Sequence, residues 1–243
     1  MRQRLVASGA RGFVVGVSGG VDSAVVVRLA QLAAPGAVAG VMLPCHSDPN
    51  DERDAMTVAR LFSVPTIRVD LGGTYDTLTA AVRSELPRLP APMRAAAPVA
   101  EPRSRVPLAN MKPRLRMTAL YFFANTLNYL VAGTGNRSEL AIGYFTKYGD
   151  GGVDLLPIGH LVKSEVRALA RELNVPGEIV DRTPSAGLWI GQTDEDDIGF
   201  TYPDIERYLE DGPQGVSPAL AMRIERLTRS SEHKRTLPPM PDE

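Results

Sequence analysis

The sequence predicts an α/β fold, a parallel sheet with helices on both faces. Three observations lead there. Apolar runs of strand length alternate with stretches of helical periodicity through the first half. A glycine turn closes the first run and opens a helix, as in Rossmann-like folds, where ligands bind at the carboxyl ends of the strands. The length, 243 residues, suits one such domain with a sizeable core.

The elements follow in order. Residues 13–17, 38–43 and 66–69 are apolar runs of buried-strand type, and residues 23–34 and 51–62 between them have helical periodicity. Residues 87–107 hold six prolines among Ala and Arg, a density that argues against helix and sheet. The segment 84–108 is therefore expected to be an exposed, mobile loop, either a passive linker or a substrate lid. A helix is expected over 113–127, with Pro113 in the first turn, where its missing N–H has no partner to lose. Residues 129–132 read as another buried strand, ending in the turn Gly133-Thr134-Gly135. Amphipathic helices are expected over 163–173 and 217–231, a loop over 184–197, and an extended tail over 236–243.

Composition narrows the class. A net charge of −1 gives no electrostatic case for nucleic acid as partner. No apolar stretch reaches membrane-spanning length, and Met1-Arg2-Gln3-Arg4 lacks the apolar core of a signal peptide. The single cysteine, Cys45, excludes an internal disulfide and a cysteine-rich zinc site. A cytoplasmic enzyme with no membrane partner is the expectation.

The chemistry concentrates first in Ser18-Gly19-Gly20-Val21-Asp22-Ser23, directly after the first strand run. A strand, a tight glycine turn and a helix N-terminus together make an anion site, with free backbone N–H groups and a favourable dipole. Gly16, Gly19 and Gly20 let phosphate approach the backbone, and Ser18 and Ser23 add hydroxyls. Asp22 would repel phosphate unless a cation lies between, which points to magnesium bridging it to a polyphosphate. An ordinary glycine turn with a helix cap accounts for these six residues as well. The string resembles the pyrophosphate loop of N-type ATP pyrophosphatases, and it lacks the Gly-Lys-Ser/Thr ending of a Walker loop. That resemblance implies the adenine nucleotide alpha-hydrolase-like version of the fold, with ATP used for adenylation.

The second half sharpens the resemblance. Gly143-Tyr144-Phe145-Thr146-Lys147-Tyr148-Gly149-Asp150-Gly151-Gly152-Val153-Asp154 mixes aromatics, a lysine, glycines and carboxylates, as a binding loop does. With the pyrophosphate loop it is similar to the NAD synthetases. The motifs Asn110-Met111-Lys112-Pro113-Arg114-Leu115-Arg116-Met117 and Gly133-Thr134-Gly135-Asn136-Arg137-Ser138-Glu139 match in the same order. So do Pro184-Ser185-Ala186-Gly187-Leu188-Trp189, Gly191-Gln192-Thr193-Asp194-Glu195 and Glu232-His233-Lys234-Arg235, so the likeness covers residues 12–239.

The resemblance implies a single synthetase domain over 1–243 that adenylates the nicotinate carboxylate of deamido-NAD with ATP. Ammonia then displaces AMP to give NAD. It implies Mg²⁺ on Asp22 and Glu139, and ATP on Gly16, Val17, Ser18, Gly19, Gly20, Val21, Asp22, Ser23, Thr134, Lys163 and Ser185. Deamido-NAD falls to Arg114, Tyr144, Lys147, Asp154, His233 and Lys234, with Tyr144 stacking on the pyridine ring. Asp150 would take a proton from ammonium, and Lys163 would put a point charge on phosphate. The family is a homodimer with the deamido-NAD site at the subunit interface.

Some features depart from the family's pattern. Gly135-Asn136-Arg137-Ser138 replaces a Thr-Asp-His-Ala-Ala form yet still delivers Glu139, and Gly187 and Ser185 stand where some members have aspartate and threonine. About a dozen residues precede the first strand where members have a full helix, so either a weakened dimer or a truncated or misassigned start is expected. No amidase domain fits in this length, so free ammonia is the expected nitrogen donor unless a separate glutaminase docks. His46 and His160 lack metal-spaced partners, Cys45 reads as packing near the adenine pocket, and Trp189 reads as a loop anchor. Two alternatives weigh less. One is another pyrophosphatase-loop enzyme, such as a tRNA thiolase or an amidotransferase synthetase domain; thiolases generally need reactive cysteines, often in pairs, and a basic face. A non-catalytic nucleotide-binding module would have lost Asp22, Glu139 or Lys163.

Overall fold

The structure, a computed structural model, describes residues 1–95, 105–189 and 191–241. Four parallel strands, β1 (Phe13–Gly16), β2 (Val38–Met42), β3 (Thr66–Arg68) and β4 (Leu130–Val131), lie in the order β3-β2-β1-β4. Phe13 stands opposite Val38 on one side and Leu130 on the other, which fixes the register. Each strand ends one residue short of its apolar run, although Val17 N–H still donates to Val41 O at 2.9 Å.

In chain order the helices are α1 (Arg2–Ser8), α2 (Val21–Ala33), α3 (Pro49–Leu61), α4 (Gly72–Glu85), α5 (Ala91–Ala95), α6 (Val106–Ala109) and α7 (Met111–Leu127). There follow α8 (Arg137–Ile142), α9 (Lys163–Glu172), α10 (Gly177–Val180), α11 (Asp194–Ile198), α12 (Tyr202–Asp211) and α13 (Pro218–Ser230).

The strand alternation builds the two faces. Phe13 and Val15 are fully buried in one cluster with Val25 of α2, Val58 of α3 and Val166 of α9. Val14, between them, points the other way, into a cluster with Tyr75 of α4 and Leu115, Leu120 and Ala124 of α7. Each fully buried Val or Ile contributes about 1.5–3 kcal/mol relative to exposure, so this period-2 pattern fixes which face each strand residue takes. A third cluster, with Ile142, Ile198, Phe200, Ile205 and Ile224, ties α8, α11, α12 and α13 together. Helices on both faces of a parallel sheet are thus observed.

Several sequence expectations need correction. The proline-rich segment carries helical turns at Leu86–Arg88, α5 and α6. Pro87 and Pro107 fall in first turns, where a missing N–H breaks no hydrogen bond. The rest of that expected loop, residues 96–104, lies outside the described residues. Helix α4 was not expected, and its Gly72-Gly73 start hides it from pattern reading. The acidic end of the expected loop 184–197 is helix α11. Thr193 caps it by accepting from Asp196 N–H, its carboxylates suit the N-terminal dipole, and Gly199 at φ 77° ends it. Helix α12 likewise starts at a Thr201–Asp204 capping box. The short N-terminus does hold a helix, α1, whose Arg2 donates to Leu32 O at 2.8 Å. The tail from 236 onward has no regular element among the described residues, and none of the described helices is long and apolar enough to cross a membrane.

The topology places the site. The chain runs outward from β1 to β3, then returns to β4 on the other side of β1. The loops after β1 and β4 therefore leave neighbouring strands side by side at the sheet's carboxyl end, where open α/β sheets bind ligands.

Candidate active site

The loop after β1 is built as an anion cradle. Gly19 adopts φ 82°, and a Cβ there would collide with the Asp51 carbonyl, so glycine is required at this position. Gly20 caps α2, Ser23 Oγ donates to Gly20 O at 2.9 Å, and Ser18 Oγ donates to Ser23 Oγ at 3.1 Å. Ser18 and Ser23 hydroxyls thus line the helix N-terminus. Val17 and Val21 are buried in the core and can offer a ligand only backbone; Gly16 closes the strand against Leu120.

Asp22 leaves this turn toward residues far away in sequence. Its Oδ1 accepts from Asn136 Nδ2 at 3.0 Å, and its Oδ2 lies 2.5 Å from Lys163 Nζ. Lys163, the first residue of α9, is almost wholly buried and also lies 3.6 Å from Glu139 Oε1. Glu139 is fixed by a capping box at the start of α8: its Oε2 accepts from Asn136 N–H at 3.1 Å and its N–H donates to Asn136 Oδ1 at 3.0 Å. The loops after β1 and β4 and the start of α9 thus converge on two carboxylates sharing one ammonium.

Electrostatics follow from that count. Burial and the neighbouring Asp22 charge, only partly offset by Lys163, push the Glu139 carboxyl up to about 8. For Lys163, burial disfavours the charged form, but Asp22 and Glu139 together outweigh it and raise the ammonium's pKa. Asp194, buried nearby, adds a third carboxylate whose pKa burial also raises.

Magnesium fits this donor set. It takes hard oxygens and commonly uses one or two carboxylates completed by water and substrate phosphate. Asp22 and Glu139 supply two, brought together beside a single ammonium. Among the described residues no group of three or more His, Cys, Asp or Glu side chains is gathered as a metal site, so phosphate and water would supply the remaining ligands.

Two further positions that the resemblance assigns to ATP, Thr134 and Ser185, lie in loops. Thr134 follows β4 and is half-buried. Ser185 is exposed and accepts from Gly187 N–H at 3.1 Å. Its loop is pinned by the buried Lys112, which donates to Leu188 O at 2.6 Å.

The family model described as NAD synthase matches residues 1–238. The chain belongs to the NAD synthase family. Its members act as ligases, and this chain is one. It is 48% identical over 241 residues to the NH(3)-dependent NAD(+) synthetase of Carboxydothermus hydrogenoformans, covering 99% of this chain and 93% of that one. Among solved structures, the NMN synthetase of Francisella tularensis superposes with TM-score 0.87 at 35% identity, covering 100% of this chain and 94% of that one. The NH3-dependent NAD synthetase of Campylobacter jejuni, solved with a nitrate ion, gives 0.76 at 26% identity, covering 99% and 93%. The fold is the adenine nucleotide alpha-hydrolase-like one of the NAD synthetases.

The residues that the family resemblance assigns to the dinucleotide divide into two groups. Arg114 of α7 donates to Lys147 O at 3.4 Å, and Lys147 Nζ donates to the His233 carbonyl, so these three converge at one surface. The others face inward. Lys234 Nζ donates to Gly143 O and Phe145 O, both at 2.7 Å, and staples the binding loop, with burial lowering its pKa. Asp154 accepts from Val131 N–H at 2.7 Å and Tyr121 OH at 3.1 Å, so both oxygens are engaged at the sheet edge. Tyr144 points its hydroxyl at Asp194 and Asp197 of α11. Asp150 lies at an exposed turn, accepting from Thr146 N–H at 2.9 Å.

Asn136, Lys112, Asp194 and Tyr202 were not assigned from sequence. Tyr202 OH donates to Asp194 Oδ2 at 2.8 Å and lies 3.4 Å from Glu139 Oε1. The sequence signals for them are the Gln192-Thr193-Asp194-Glu195 motif and the capping spacing of Asn136 and Glu139.

A pH dependence follows. Glu139 releases its proton near 4.5 when unfolded and near 8 when folded, so between those values the folded state binds more protons. Its contribution to stability is therefore favourable at low pH and is lost as pH rises through about 8. With Asp22, Lys163 and Asp194 unchanged, ligand-free Glu139→Gln should lose this part of the slope. Thermal melts from pH 5 to 8.5 check it; identical wild-type and variant slopes would contradict the raised pKa.

Proposed function

We propose that this chain makes NAD from deamido-NAD by ATP-dependent amidation with ammonia, releasing AMP and pyrophosphate. The observation carrying this reading is the meeting of Asp22, Glu139 and Lys163 beside the Ser18–Ser23 cradle at the carboxyl ends of β1 and β4. That is the equipment of polyphosphate handling, in a chain of the NAD synthase family.

In this reading the cradle's N–H groups and the Ser18 and Ser23 hydroxyls hold the triphosphate, Thr134 and Ser185 contact ATP, and Lys163 moves its charge from Asp22 toward phosphate. Asp22 and Glu139 hold magnesium, which when bound neutralises triphosphate charge. The nicotinate carboxylate oxygen attacks the α-phosphorus, the bond to the β-phosphate oxygen breaks, and pyrophosphate leaves. Ammonia then attacks the carbonyl carbon of the acyl adenylate, and the bond to AMP breaks. Asp150 accepts the proton that ammonium gives up. Arg114, Lys147 and His233 hold the dinucleotide at the surface where they converge, while Tyr144, Asp154 and Lys234 shape its loop. The chain works as one catalytic domain, paired as a homodimer, with free ammonia as nitrogen source.

A second reading keeps the chemistry and changes the substrate. The Francisella neighbour is named an NMN synthetase, which favours testing the mononucleotide. The deciding assay supplies ATP and magnesium with either deamido-NAD or nicotinate mononucleotide, and either ammonium or glutamine. NAD and AMP in equal amounts, from deamido-NAD and ammonium, is the expected result. A higher kcat/KM on the mononucleotide would overturn the substrate assignment, and product from glutamine alone would overturn the nitrogen source.

A further inference from the structure

Resting on the two half-sites assigned above, we propose that Asp194 is a positioning residue that couples ATP binding to deamido-NAD binding. The residue is 4% exposed and belongs to neither half-site by itself. One oxygen, Oδ2, accepts from Tyr202 OH at 2.8 Å; the other, Oδ1, lies 3.2 Å from Tyr144 OH. Tyr202 faces the nucleotide side: its hydroxyl is 3.4 Å from Glu139 Oε1, and Lys163 Nζ sits 5.0 Å over its ring. Tyr144 stands on the other side, at the start of the loop carrying Lys147 and Asp150.

The bridge is firm at both ends. Asp194 N–H donates to Pro184 O at 3.0 Å, which joins α11 to the start of the loop bearing Ser185. Tyr144 OH is also 3.0 Å from Asp197 Oδ2, and Gln192 Nε2 donates to that same oxygen at 2.6 Å. Gln192 Oε1 in turn accepts from Leu188 N–H at 2.8 Å. Helix α11 therefore connects the ATP-covering loop, the dinucleotide loop and the carboxylate pair through contiguous hydrogen bonds.

Stability alone does not explain a carboxylate here. Burying one is costly, and a buried charge is weak evidence for stabilisation. Position explains it. The Tyr202 hydroxyl has one proton; giving it to Asp194 fixes the phenol's orientation beside Glu139 and Lys163. A ligand that orders the Tyr144 loop thereby favours the arrangement that receives ATP, and by linkage ATP favours the dinucleotide to the same degree. Such coupling makes adenylation wait for its acceptor.

The experiment is calorimetric titration of the intact enzyme with magnesium and an ATP analogue carrying a methylene between the α- and β-phosphorus. It is run with and without saturating deamido-NAD, and the readout is the ratio of the two dissociation constants. In the wild type the dinucleotide should tighten the analogue about tenfold, within the usual range of coupling. In Asp194→Asn and in Tyr144→Phe the ratio should fall below about twofold, whereas a merely structural loss weakens both titrations and leaves the ratio in place. Tyr144→Phe removes a single hydroxyl, so the test survives if the Asp194 variant fails to fold. A wild-type ratio near one, or a full ratio in the folded variants, would overturn the proposal. Asp22→Asn separates the underlying assignment: it should abolish analogue binding and spare deamido-NAD. Unimpaired analogue binding there would show that the half-sites, rather than the bridge between them, were misplaced.

Discussion

Asp22→Asn is expected to lower pyrophosphate release by at least about 1,000-fold, near 4 kcal/mol of transition-state stabilisation, in a protein that still folds. The residue sits in the first turn of α2, and its two oxygens face Asn136 and Lys163 at 3.0 and 2.5 Å. Replacing one oxygen by an amide removes both the charge that holds Lys163 and one of two carboxylates that fit magnesium. Folding should survive because Lys163 keeps Glu139 at 3.6 Å and the site loses one negative charge where three carboxylates crowd one ammonium. The readout is pyrophosphate formed from ATP with deamido-NAD and no ammonia, alongside a thermal melt. A folded variant that releases pyrophosphate at the wild-type rate would remove Asp22 from the adenylation machinery.

That residue also marks how far the sequence could be read. Asp22 was conspicuous because a carboxylate inside a phosphate-binding turn needs a cation, a local argument requiring no fold. Its partner Lys163 lies 141 positions away and looks like any lysine opening an amphipathic helix. Only the return of the chain to β4, beside β1, explains why the two meet. The apolar runs and the helical stretches between them made the sheet and its helical layers legible. Helix α4 was not, because glycines at its start mask the pattern. Asp154 illustrates the opposite limit: its motif position says binding loop, yet both oxygens are spent on Val131 N–H and Tyr121 OH. Asn136 looked like a departure from the family form. It holds the Glu139 capping box and an Asp22 oxygen at once, a double role that residue spacing does not reveal.

Lys163→Met tests the same cluster from the side of stability. The methionine keeps an unbranched apolar stem but leaves Asp22, Glu139 and Asp194 without the ammonium between them. Removing one member of a buried ion pair costs about 3–5 kcal/mol, because the surviving charge stays buried and unpaired. For a chain of this size that lowers Tm by roughly 6–20 °C. The loss should be greatest at pH 8 and shrink toward pH 5. Without Lys163 the pKa values of Glu139 and Asp194 rise further above their unfolded values, so the folded state takes up protons as pH falls and sheds the repulsion. Catalysis should fail at every pH, since the charge destined for phosphate is gone. Adding Asp22→Asn to Lys163→Met should recover part of the lost stability, a non-additivity expected when two substitutions share one interaction. A loss independent of pH, with simple additivity in the double variant, would mean that the lysine stem packs the site and its charge does not hold it together.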